Sequence, residues 1–288
     1  MRVSVVGLGG VGGYIAASFA KAGIDVVGFA RGEHLKAIQA HGIKIVEDGK
    51  TWSERIDTRE EDDLDGYFEG AFDIVMFCVK SYDLVDSFEH IRSYIDENTT
   101  LISFSNGVNN AQTLKSLSSC HVLEGCVYIL AHIESYGVIR KKGKVFAAVF
   151  GGEKESTHKL ASLFEKAELR FKTPSDIKSA IWKKYIFISA FATLTSYYNN
   201  SIGFVYEHHK EEAEELLKEI AGFAKSRGIN IEDEVAKALK VASNVPYDSK
   251  TSMLKDFEGK KRVELESLSG YVKTPLMSKL YEELKSRV

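Results

Sequence analysis

The chain has 288 residues, a formal net charge of −3 and 27% charged residues. This balance excludes the strong basic bias of proteins that bind nucleic acid or anionic membranes. The length predicts two domains, and an apolar fraction of 44% is sufficient for each to bury a core. Cys78, Cys120 and Cys126 are too few and too irregularly spaced for a disulfide framework or a zinc site, so we expect small core residues in a cytoplasmic protein.

No segment predicts a membrane span or a cleaved leader. Residues 3–20 are apolar, but their five glycines and the single preceding charge, Arg2, argue against a signal peptide. Residues 185–206 carry no charge, yet Ser, Thr, Asn and Gly interrupt the stretch. We interpret it as a buried core helix with its exit turn.

The first dozen residues predict a strand over 3–6, a glycine-rich turn and a helix over 11–22. Gly7, Gly9 and Gly12 fit the pattern G-x-G-x-x-G, which follows a strand and opens a helix in dinucleotide-binding proteins. The first glycine allows the tight turn, the second lets the backbone approach a diphosphate, and the third allows close packing of helix on strand. The residues expected to hold the dinucleotide here are Gly7, Leu8, Gly9, Gly10, Val11 and Gly12.

Strands and helices alternate over the next hundred residues. The predicted elements are strand 25–30, helix 33–40, strands 43–46 and 51–56, strand 72–79, helix 83–95 and strand 100–104. The acidic run 59–65 is interpreted as a solvated loop or helix face. Strands 121–130, 138–140 and 145–150, separated by Gly137 and Gly143, predict a mixed or antiparallel edge.

This alternation predicts an α/β fold, with an N-terminal Rossmann-type domain over residues 1–174 built on a doubly wound parallel sheet. Ligands of such sheets bind beyond the carboxyl ends of the strands, where Lys80 and Asn106 are placed. The alternatives are a solvent-facing lysine at a strand end and an asparagine in a turn before glycine.

From residue 175 onward the strand pattern stops, and residues 175–288 predict an all-helical domain. After the uncharged helix we expect helices over 207–227, 232–242, 250–258 and 262–272. Thr274 as N-cap and Pro275 in the first turn begin the last helix. The adjacent His208 and His209 are interpreted as surface residues and not as metal ligands.

Four separated motifs carry a resemblance to a known family. They are the glycine loop with Arg31 after the second strand, the tripeptide Ser105-Asn106-Gly107, the sequence Ile-Trp-Lys-Lys at 181–184, and residues 252–256 followed by Glu264. On these the chain resembles the ketopantoate reductases (2-dehydropantoate 2-reductases) over nearly its full length. The resemblance implies that Lys184 is the general acid, Glu264 supports Lys184 and the substrate, Ser252 binds the substrate carboxylate, and Asn106 reaches the substrate and the nicotinamide ribose.

The chemistry of ketone reduction independently favours a lysine. Hydride transfer builds negative charge on the carbonyl oxygen, and a cation that delivers a proton stabilises that charge. Lys184 borders the longest uncharged stretch of the chain, although most lysines lie on the surface. Glu264 has a competing interpretation as part of a solvated helix face with Arg262 and Glu266, and its burial decides between the two.

Cofactor choice depends on two residues after the second strand. Arg31 follows that strand directly, whereas the carboxylate of Glu33 in the first helical turn is explained by the helix dipole alone. We expect Arg31 to pair with a 2′-phosphate, and hence NADPH as the cofactor.

The chain departs from the family at three predicted substrate contacts. Ile188 and Ala192, one and two turns beyond Lys184, and Ser249 stand where the family carries asparagines. Apolar residues there favour a substrate without a terminal hydroxyl. The alternatives are a rotated helix or replacement contacts from Thr195, Asn199 or Asn200.

Together these observations predict an NADPH-dependent reductase of a small 2-oxo acid. The resemblance implies reduction of ketopantoate to D-pantoate in pantothenate and coenzyme A biosynthesis. The alternatives are reduction of another branched 2-oxo acid, a β-hydroxyacid dehydrogenase-like enzyme, or a non-catalytic NADPH-binding sensor. We expect a small-molecule substrate, no nucleic acid or membrane partner and no metal. The apolar helical domain leaves room for a homodimer.

Overall fold

The computed structural model describes residues 1–60 and 70–288, which fall into two compact units. Unit 1 comprises Met1–Ser105 and Asn109–Ile177, and unit 2 comprises Asn106–Val108 and Lys178–Val288. The short loop Asn106–Val108 therefore groups with the C-terminal helices although it follows a strand of unit 1. Most of the acidic run 59–65 lies outside the described residues.

Unit 1 is a sheet covered by helices. Its described strands are β1 (Arg2–Val6), β2 (Asp25–Phe29), β3 (Ile43–Glu47), β4 (Lys50–Glu54), β5 (Asp57–Arg59), β6 (Ile74–Phe77), β7 (Thr100–Ser103), β8 (His121–Ser135), β9 (Val138–Gly151) and β10 (Phe171–Lys172). Its described α-helices are α1 (Gly10–Lys21), α2 (Gly32–His41), α3 (Leu84–Ile91), α4 (Asn110–Leu117) and α5 (Lys154–Lys166). Helices α4 and α5 are not among the elements predicted from the sequence.

The strand order confirms the doubly wound Rossmann-type sheet. Strands β5, β2, β1, β6, β7 and β8 are neighbours in that order and are parallel throughout. The direction of winding reverses between β1 and β6, so the ligand crevice of such a sheet lies beyond the carboxyl ends of these two strands. The far edge is mixed, because β8 and β9 are antiparallel, β9 pairs parallel with β3, and β3 pairs antiparallel with β4.

Successive side chains of β1 point alternately into the hydrophobic cores on the two faces of the sheet. Val3 and Val5 lie in the core formed with α1 and α5, where Phe19 and Phe164 pack edge to face at 5.3 Å. Val6 lies in the opposite core, with side chains of α3 and α4. Burial on both faces explains the β-branched residues at Val3, Val5 and Val6.

The predicted strands 138–140 and 145–150 form one strand, β9. Ile129 pairs with Phe146 and Ala131 with Lys141, so residues 142–145 bulge out opposite Leu130. Gly143 adopts a φ of 68° in this bulge. The glycine therefore marks a β-bulge and not the end of a strand.

Unit 2 is helical in its described residues. Its α-helices are α6 (Ile177–Tyr198, with Ile177 grouped in unit 1), α7 (Ile202–His208), α8 (Lys210–Lys225), α9 (Glu234–Asn244), α10 (Ser252–Glu258) and α11 (Pro275–Lys285). The core forms around α6, where Ala190, Phe191 and Leu194 are fully buried. Among the described helices none is long and apolar enough to cross a membrane.

The predicted helix 262–272 is replaced by a single π-helical turn, Glu266–Gly270. Side chains of α6 bond the carbonyl groups of this turn. Tyr185 donates to the carbonyls of Ser267 and Leu268 at 3.0 and 3.1 Å, and Ser189 donates to that of Leu268 at 2.6 Å. Tertiary hydrogen bonds thus compete with the regular helical ladder, which local periodicity does not reveal.

Candidate active site

The glycine loop joins β1 to α1 in a conformation that requires its first and third glycines. Gly7 has a φ of 92°, and a Cβ there would lie 2.9 Å from Cγ1 of Val79. A Cβ on Gly12 would lie 2.1 Å from the carbonyl oxygen of Gly7. The tight turn and the close packing of α1 on β1 are therefore steric necessities.

Gly9 and Gly10 differ in their surroundings. A Cβ on Gly9 would meet nothing within 4 Å, whereas one on Gly10 would lie 2.4 Å from the carbonyl oxygen of Ala131 in β8. Gly9 is the N-cap of α1, the helix has no side-chain cap and its first turn holds no acidic residue. The loop thus leaves open space at the positive end of a helix, which suits an anionic group.

Leu8 and Val11 contribute mainly structure to the loop. Leu8 is 1% exposed and its side chain packs in the unit 1 core, so the residue as a whole faces inward. Val11 is partly buried against the same core.

Two cations lie near the carboxyl ends of β2 and β6. Arg31 is exposed at the N-cap of α2, with its guanidinium 3.9 Å from a carboxylate oxygen of Asp83. Arg31 and Asp83 help line a cavity of about 310 Å³. Lys80 is partly buried and begins the turn that contains Asp83, whose backbone N–H donates to the carbonyl of Lys80 at 2.9 Å.

Unit 2 brings together residues that lie far apart in the sequence. Lys184, in the second turn of α6, donates from Nζ to Oδ1 of Asn106 at 3.1 Å. Both side chains are partly buried. Glu264 is 4% exposed, whereas Arg262 and Glu266 are exposed. That burial excludes the solvated helix face as an account of Glu264.

The predicted substrate contacts differ in accessibility. Ile188 is partly buried against the unit 2 core, and Ala192 is 1% exposed within it. Ser249 is partly buried, and its carbonyl accepts from the backbone N–H of Ile202 at 2.8 Å. Ser252 is exposed in the first turn of α10.

The three polar residues considered as replacement contacts are either already hydrogen-bonded or far from Lys184. Thr195 donates to the carbonyl of Phe191 at 2.6 Å and shares a 2.8 Å hydrogen bond with Thr251. Oδ1 of Asn200 accepts from the backbone N–H of Ser201 at 2.9 Å. Asn199 is exposed just beyond the end of α6, about 22 Å along the helix axis from Lys184 at 1.5 Å per residue.

Sequence reasoning missed His34, which is 8% exposed beside the glycine loop. Its Nδ1 accepts from the backbone N–H of Gly137 at 3.1 Å, and its Nε2 lies 2.9 Å from the carbonyl oxygen of Leu8. A ring nitrogen that accepts leaves the proton on the other nitrogen, so Nε2 donates to Leu8. A histidine three residues after a strand-end arginine gives no local signal of this role.

The thiols and acidic groups provide no other centre in the part of the chain that the structure describes. Burial raises the pKa of the Cys78 thiol to about 12, which favours the protonated form. No cluster of three or more His, Cys, Asp or Glu residues at 1–60 and 70–288 is placed to hold a metal ion.

Comparison with known protein families finds matches for both the N-terminal and the C-terminal part of the chain. The sequence model described as "Ketopantoate reductase PanE/ApbA" matches residues 3–152, and that of its C-terminal domain matches residues 176–274. The first match alone covers more than half of the chain. The chain belongs to the ketopantoate reductase family.

Individual relatives agree with this membership. The chain is 26% identical to the 2-dehydropantoate 2-reductase of Mesorhizobium japonicum, over 93% of this chain and 89% of that protein. It is 28% identical to the uncharacterized oxidoreductase YkpB of Bacillus subtilis, over 94% and 91%. The crystal structure of 2-dehydropantoate 2-reductase from Porphyromonas gingivalis superposes with a TM-score of 0.82 at 30% identity, over 99% of each chain.

Family membership makes the chain an oxidoreductase that reduces a 2-oxo acid with NAD(P)H. The residues of unit 1 fit such a cofactor, because the open space over Gly9 and the uncapped start of α1 suit a diphosphate.

Proposed function

We propose that the chain is an NADPH-dependent 2-dehydropantoate 2-reductase that converts ketopantoate to D-pantoate. The observation that carries this proposal is the 3.1 Å hydrogen bond from Lys184 to Asn106, two motif residues 78 positions apart. The family of the chain and the burial of Glu264 support it.

The residues of unit 2 act on the carbonyl oxygen of the substrate. When bound, NADPH would supply the hydride for C2 of the 2-oxo acid, and the π electrons of the carbonyl would pass to its oxygen. Lys184 stabilises that oxygen as charge develops and transfers its proton to it, which completes the alcohol. Solvent then returns a proton to the amine.

Asn106 positions the lysine, and Glu264 is assigned to support it. Oδ1 of Asn106 accepts from Lys184, which fixes the orientation of the amide, and the resemblance implies that this side chain reaches the substrate. Glu264 is buried in the same unit, and the resemblance to the ketopantoate reductases gives it a supporting role toward Lys184 and the substrate.

Arg31 supports NADPH over NADH. The rival residue, Glu33, is paired with Lys36 at 2.7 Å on the surface of α2. Arg31 lies at the N-cap of that helix, next to the end of β2, where the adenosine ribose of a dinucleotide binds in this fold. We expect Arg31→Ala to lower the ratio of kcat/KM for NADPH to that for NADH by about tenfold or more.

Ile188 favours a second candidate, the reduction of a branched 2-oxo acid without a terminal hydroxyl. This apolar side chain lies one turn beyond Lys184 and is partly accessible. A hydroxyl group placed against it would lose hydrogen bonds at a cost of about 1–3 kcal/mol.

Steady-state kinetics with two substrates separates the candidates. A kcat/KM for ketopantoate at least 100-fold above that for 2-oxo-3,3-dimethylbutanoate, about 2.7 kcal/mol, supports the first candidate. A smaller ratio supports the second, and no NADPH oxidation with any 2-oxo acid would overturn both.

Lys184→Ala tests the assigned proton donor. We expect kcat to fall by about 10²-fold or more, because a positioned acid contributes about 10² to 10⁴. The matched control is Lys183→Ala, which removes the neighbouring exposed lysine, 4.0 Å from Glu234. Equal losses in the two variants would contradict the assignment.

A further inference from the structure

His34 connects three segments of unit 1 at the glycine loop. It belongs to α2, accepts from Gly137 in the turn between β8 and β9, and donates to the carbonyl of Leu8. The imidazole is 8% exposed, so these hydrogen bonds are shielded from water. The histidine touches none of the residues assigned to proton transfer.

The peptide after Leu8 is held from both sides. The N–H groups of Gly7 and Leu8 donate to the carbonyl of Phe29 at the end of β2, at 3.1 and 3.0 Å. The carbonyl of Gly9 accepts the first hydrogen bond of α1, from Gly13 at 2.8 Å. Between these two anchors, His34 fixes the carbonyl of Leu8.

This hydrogen bond determines where the N–H of Gly9 points. In a trans peptide the carbonyl and the following N–H point in opposite directions within one plane. Since the carbonyl of Leu8 points toward the buried His34, the N–H of Gly9 points away from it. Gly9 itself is partly exposed, and a Cβ built on it would meet nothing within 4 Å, so open space adjoins this residue.

We propose that His34 is a positioning residue for the dinucleotide, which orients the Leu8–Gly9 peptide so that its N–H donates to the diphosphate. Without a donor at His34, the carbonyl of Leu8 is left buried and unpaired. Rotation of this peptide relieves that penalty but turns the carbonyl oxygen toward the diphosphate. Affinity for the anion then falls through lost donation and added repulsion.

The inference rests on the proposed binding of NADPH at the loop. Loss of His34 is expected to change nucleotide affinity differently from loss of Arg31. The diphosphate is common to NADPH and NADH, so loss of His34 weakens both equally and leaves their ratio unchanged. Loss of Arg31 changes the ratio. The two roles are therefore separable in one set of kinetic measurements.

The experiment compares His34→Leu, His34→Gln and His41→Leu in the full chain. Glutamine offers one donor and one acceptor in place of the two ring nitrogens. His41 is an exposed histidine in the last turn of the same helix and serves as the matched control. Dissociation constants for NADPH and NADH, kcat, KM and thermal unfolding are measured for each variant.

We expect His34→Leu to raise the dissociation constants of both nucleotides about tenfold, with kcat within about twofold of wild type. His34→Gln should restore most of the affinity, and His41→Leu should leave it unchanged. If the leucine variant does not fold, His34→Met replaces it. A nucleotide affinity within twofold of wild type in a folded His34→Leu or His34→Met variant would overturn the inference. So would a His34→Gln variant that binds the nucleotides as weakly as His34→Leu does. Absence of nucleotide binding by wild type would instead refute the proposed function.

Discussion

At the scale of single residues, identical glycines in the loop are present for different reasons. Gly7 and Gly12 are required by the fold itself, because a side chain at either would collide with the backbone or with β6 and its continuation. Gly10 is required by the approach of β8. Of Gly7, Gly9, Gly10 and Gly12, Gly9 alone has no structural requirement, since its φ of −70° and ψ of −160° suit any residue and a Cβ there would meet nothing within 4 Å. Its absent side chain is therefore best explained by a ligand.

Substitution of Gly9 and Gly10 by alanine distinguishes a glycine required for ligand binding from one required for folding. Gly9→Ala should leave the free energy of unfolding without cofactor within about 0.5 kcal/mol of wild type. The same change should weaken NADPH binding about tenfold, because the methyl group occupies the space that the diphosphate needs. Gly10→Ala should cost about 1–3 kcal/mol, since its Cβ would lie 2.4 Å from the carbonyl of Ala131. Urea unfolding and NADPH titration measure both quantities, and equal destabilisation by the two variants would contradict the distinction.

At the scale of elements, the ends of helices are secured by residues distant in the sequence. Thr274 occupies the N-cap of α11 as expected, but its hydroxyl makes no capping hydrogen bond. Instead, the carboxylate of Glu219 in α8 accepts from the backbone N–H groups of Leu276 at 3.1 Å and Met277 at 3.2 Å. The cap therefore joins two helices of unit 2.

Removal of that carboxylate should destabilise unit 2. We expect Glu219→Ala to lower the free energy of unfolding by about 1–2 kcal/mol, the usual effect of a lost N-cap. Glu215→Ala is the matched control, because Glu215 is exposed one turn earlier on the same helix. That control should change stability by less than about 0.5 kcal/mol. Similar losses in the two variants, measured by urea unfolding, would argue against the cap.

A buried polar cluster ties α1 and the mixed edge of the sheet together. Glu47 in β3 accepts from Tyr14 at 3.1 Å and from Trp52 at 3.1 Å, and it lies 3.2 Å from Nζ of Lys141. The side chain of Lys141 is 5% exposed, and that of Glu47 is 23% exposed. Burial alone would raise the pKa of Glu47, but the hydrogen bonds from Trp52, Lys141 and Tyr14 and the charge of Lys141 lower it.

The two members of this ion pair should differ in their response to substitution. Glu47→Met leaves the ammonium of Lys141 buried without its counter-ion and should cost about 3–5 kcal/mol. Lys141→Met leaves Glu47 with Tyr14, Trp52 and some water, and should cost about 1–2 kcal/mol. The reverse order in chemical unfolding would contradict this description of the cluster.

The same cluster predicts a dependence on pH. Because the pKa of Glu47 is lowered in the folded chain, the stability it contributes is present above the ordinary glutamate pKa of about 4.3. This contribution is lost as pH falls below that value. Wild type should therefore lose more stability between about pH 5 and pH 3 than Glu47→Met does, as unfolding curves at a series of pH values would show. An equal loss would mean that another carboxylate dominates acid unfolding.

At the scale of the whole molecule, the proposed roles divide between the two units. The glycine loop, Arg31 and His34 lie in unit 1, and Lys184, Asn106 and Glu264 lie in unit 2. Each unit has its own hydrophobic core. Nucleotide binding and proton transfer should therefore respond separately to substitution.

Ligand-linked stability tests this division. NADPH at 100 times its dissociation constant should stabilise the chain by about 2.7 kcal/mol. Lys184→Ala should keep that stabilisation while losing turnover, whereas Gly9→Ala, with binding about tenfold weaker, should lose about half of it at the same NADPH concentration. Thermal unfolding with and without NADPH measures both, and loss of the stabilisation in Lys184→Ala would show that the lysine supports nucleotide binding.

The amino-acid sequence by itself determined the type and order of most elements of this protein. The β-branched run of β1, the glycines after it and the alternation that follows predict a doubly wound sheet, because these signals arise from neighbouring residues. The same motifs identified Lys184, Asn106 and Glu264 as candidates. Short apolar periodicity and turn residues are local properties, and local properties can be read in order along the chain.

Only the tertiary structure decided features that depend on residues distant in the sequence. The tripeptide Ser105-Asn106-Gly107 gave no indication that Asn106 groups with the C-terminal helices. The apolar pattern over residues 262–272 did not show that Glu266–Gly270 forms a π-helical turn hydrogen-bonded to α6. Burial of Glu264, the approach of Ala131 to Gly10 and the two hydrogen bonds of His34 likewise depend on chain segments that meet only after folding. The physical reason is that hydrogen bonds, steric exclusion and desolvation act over a few ångströms in space, whatever the separation along the chain.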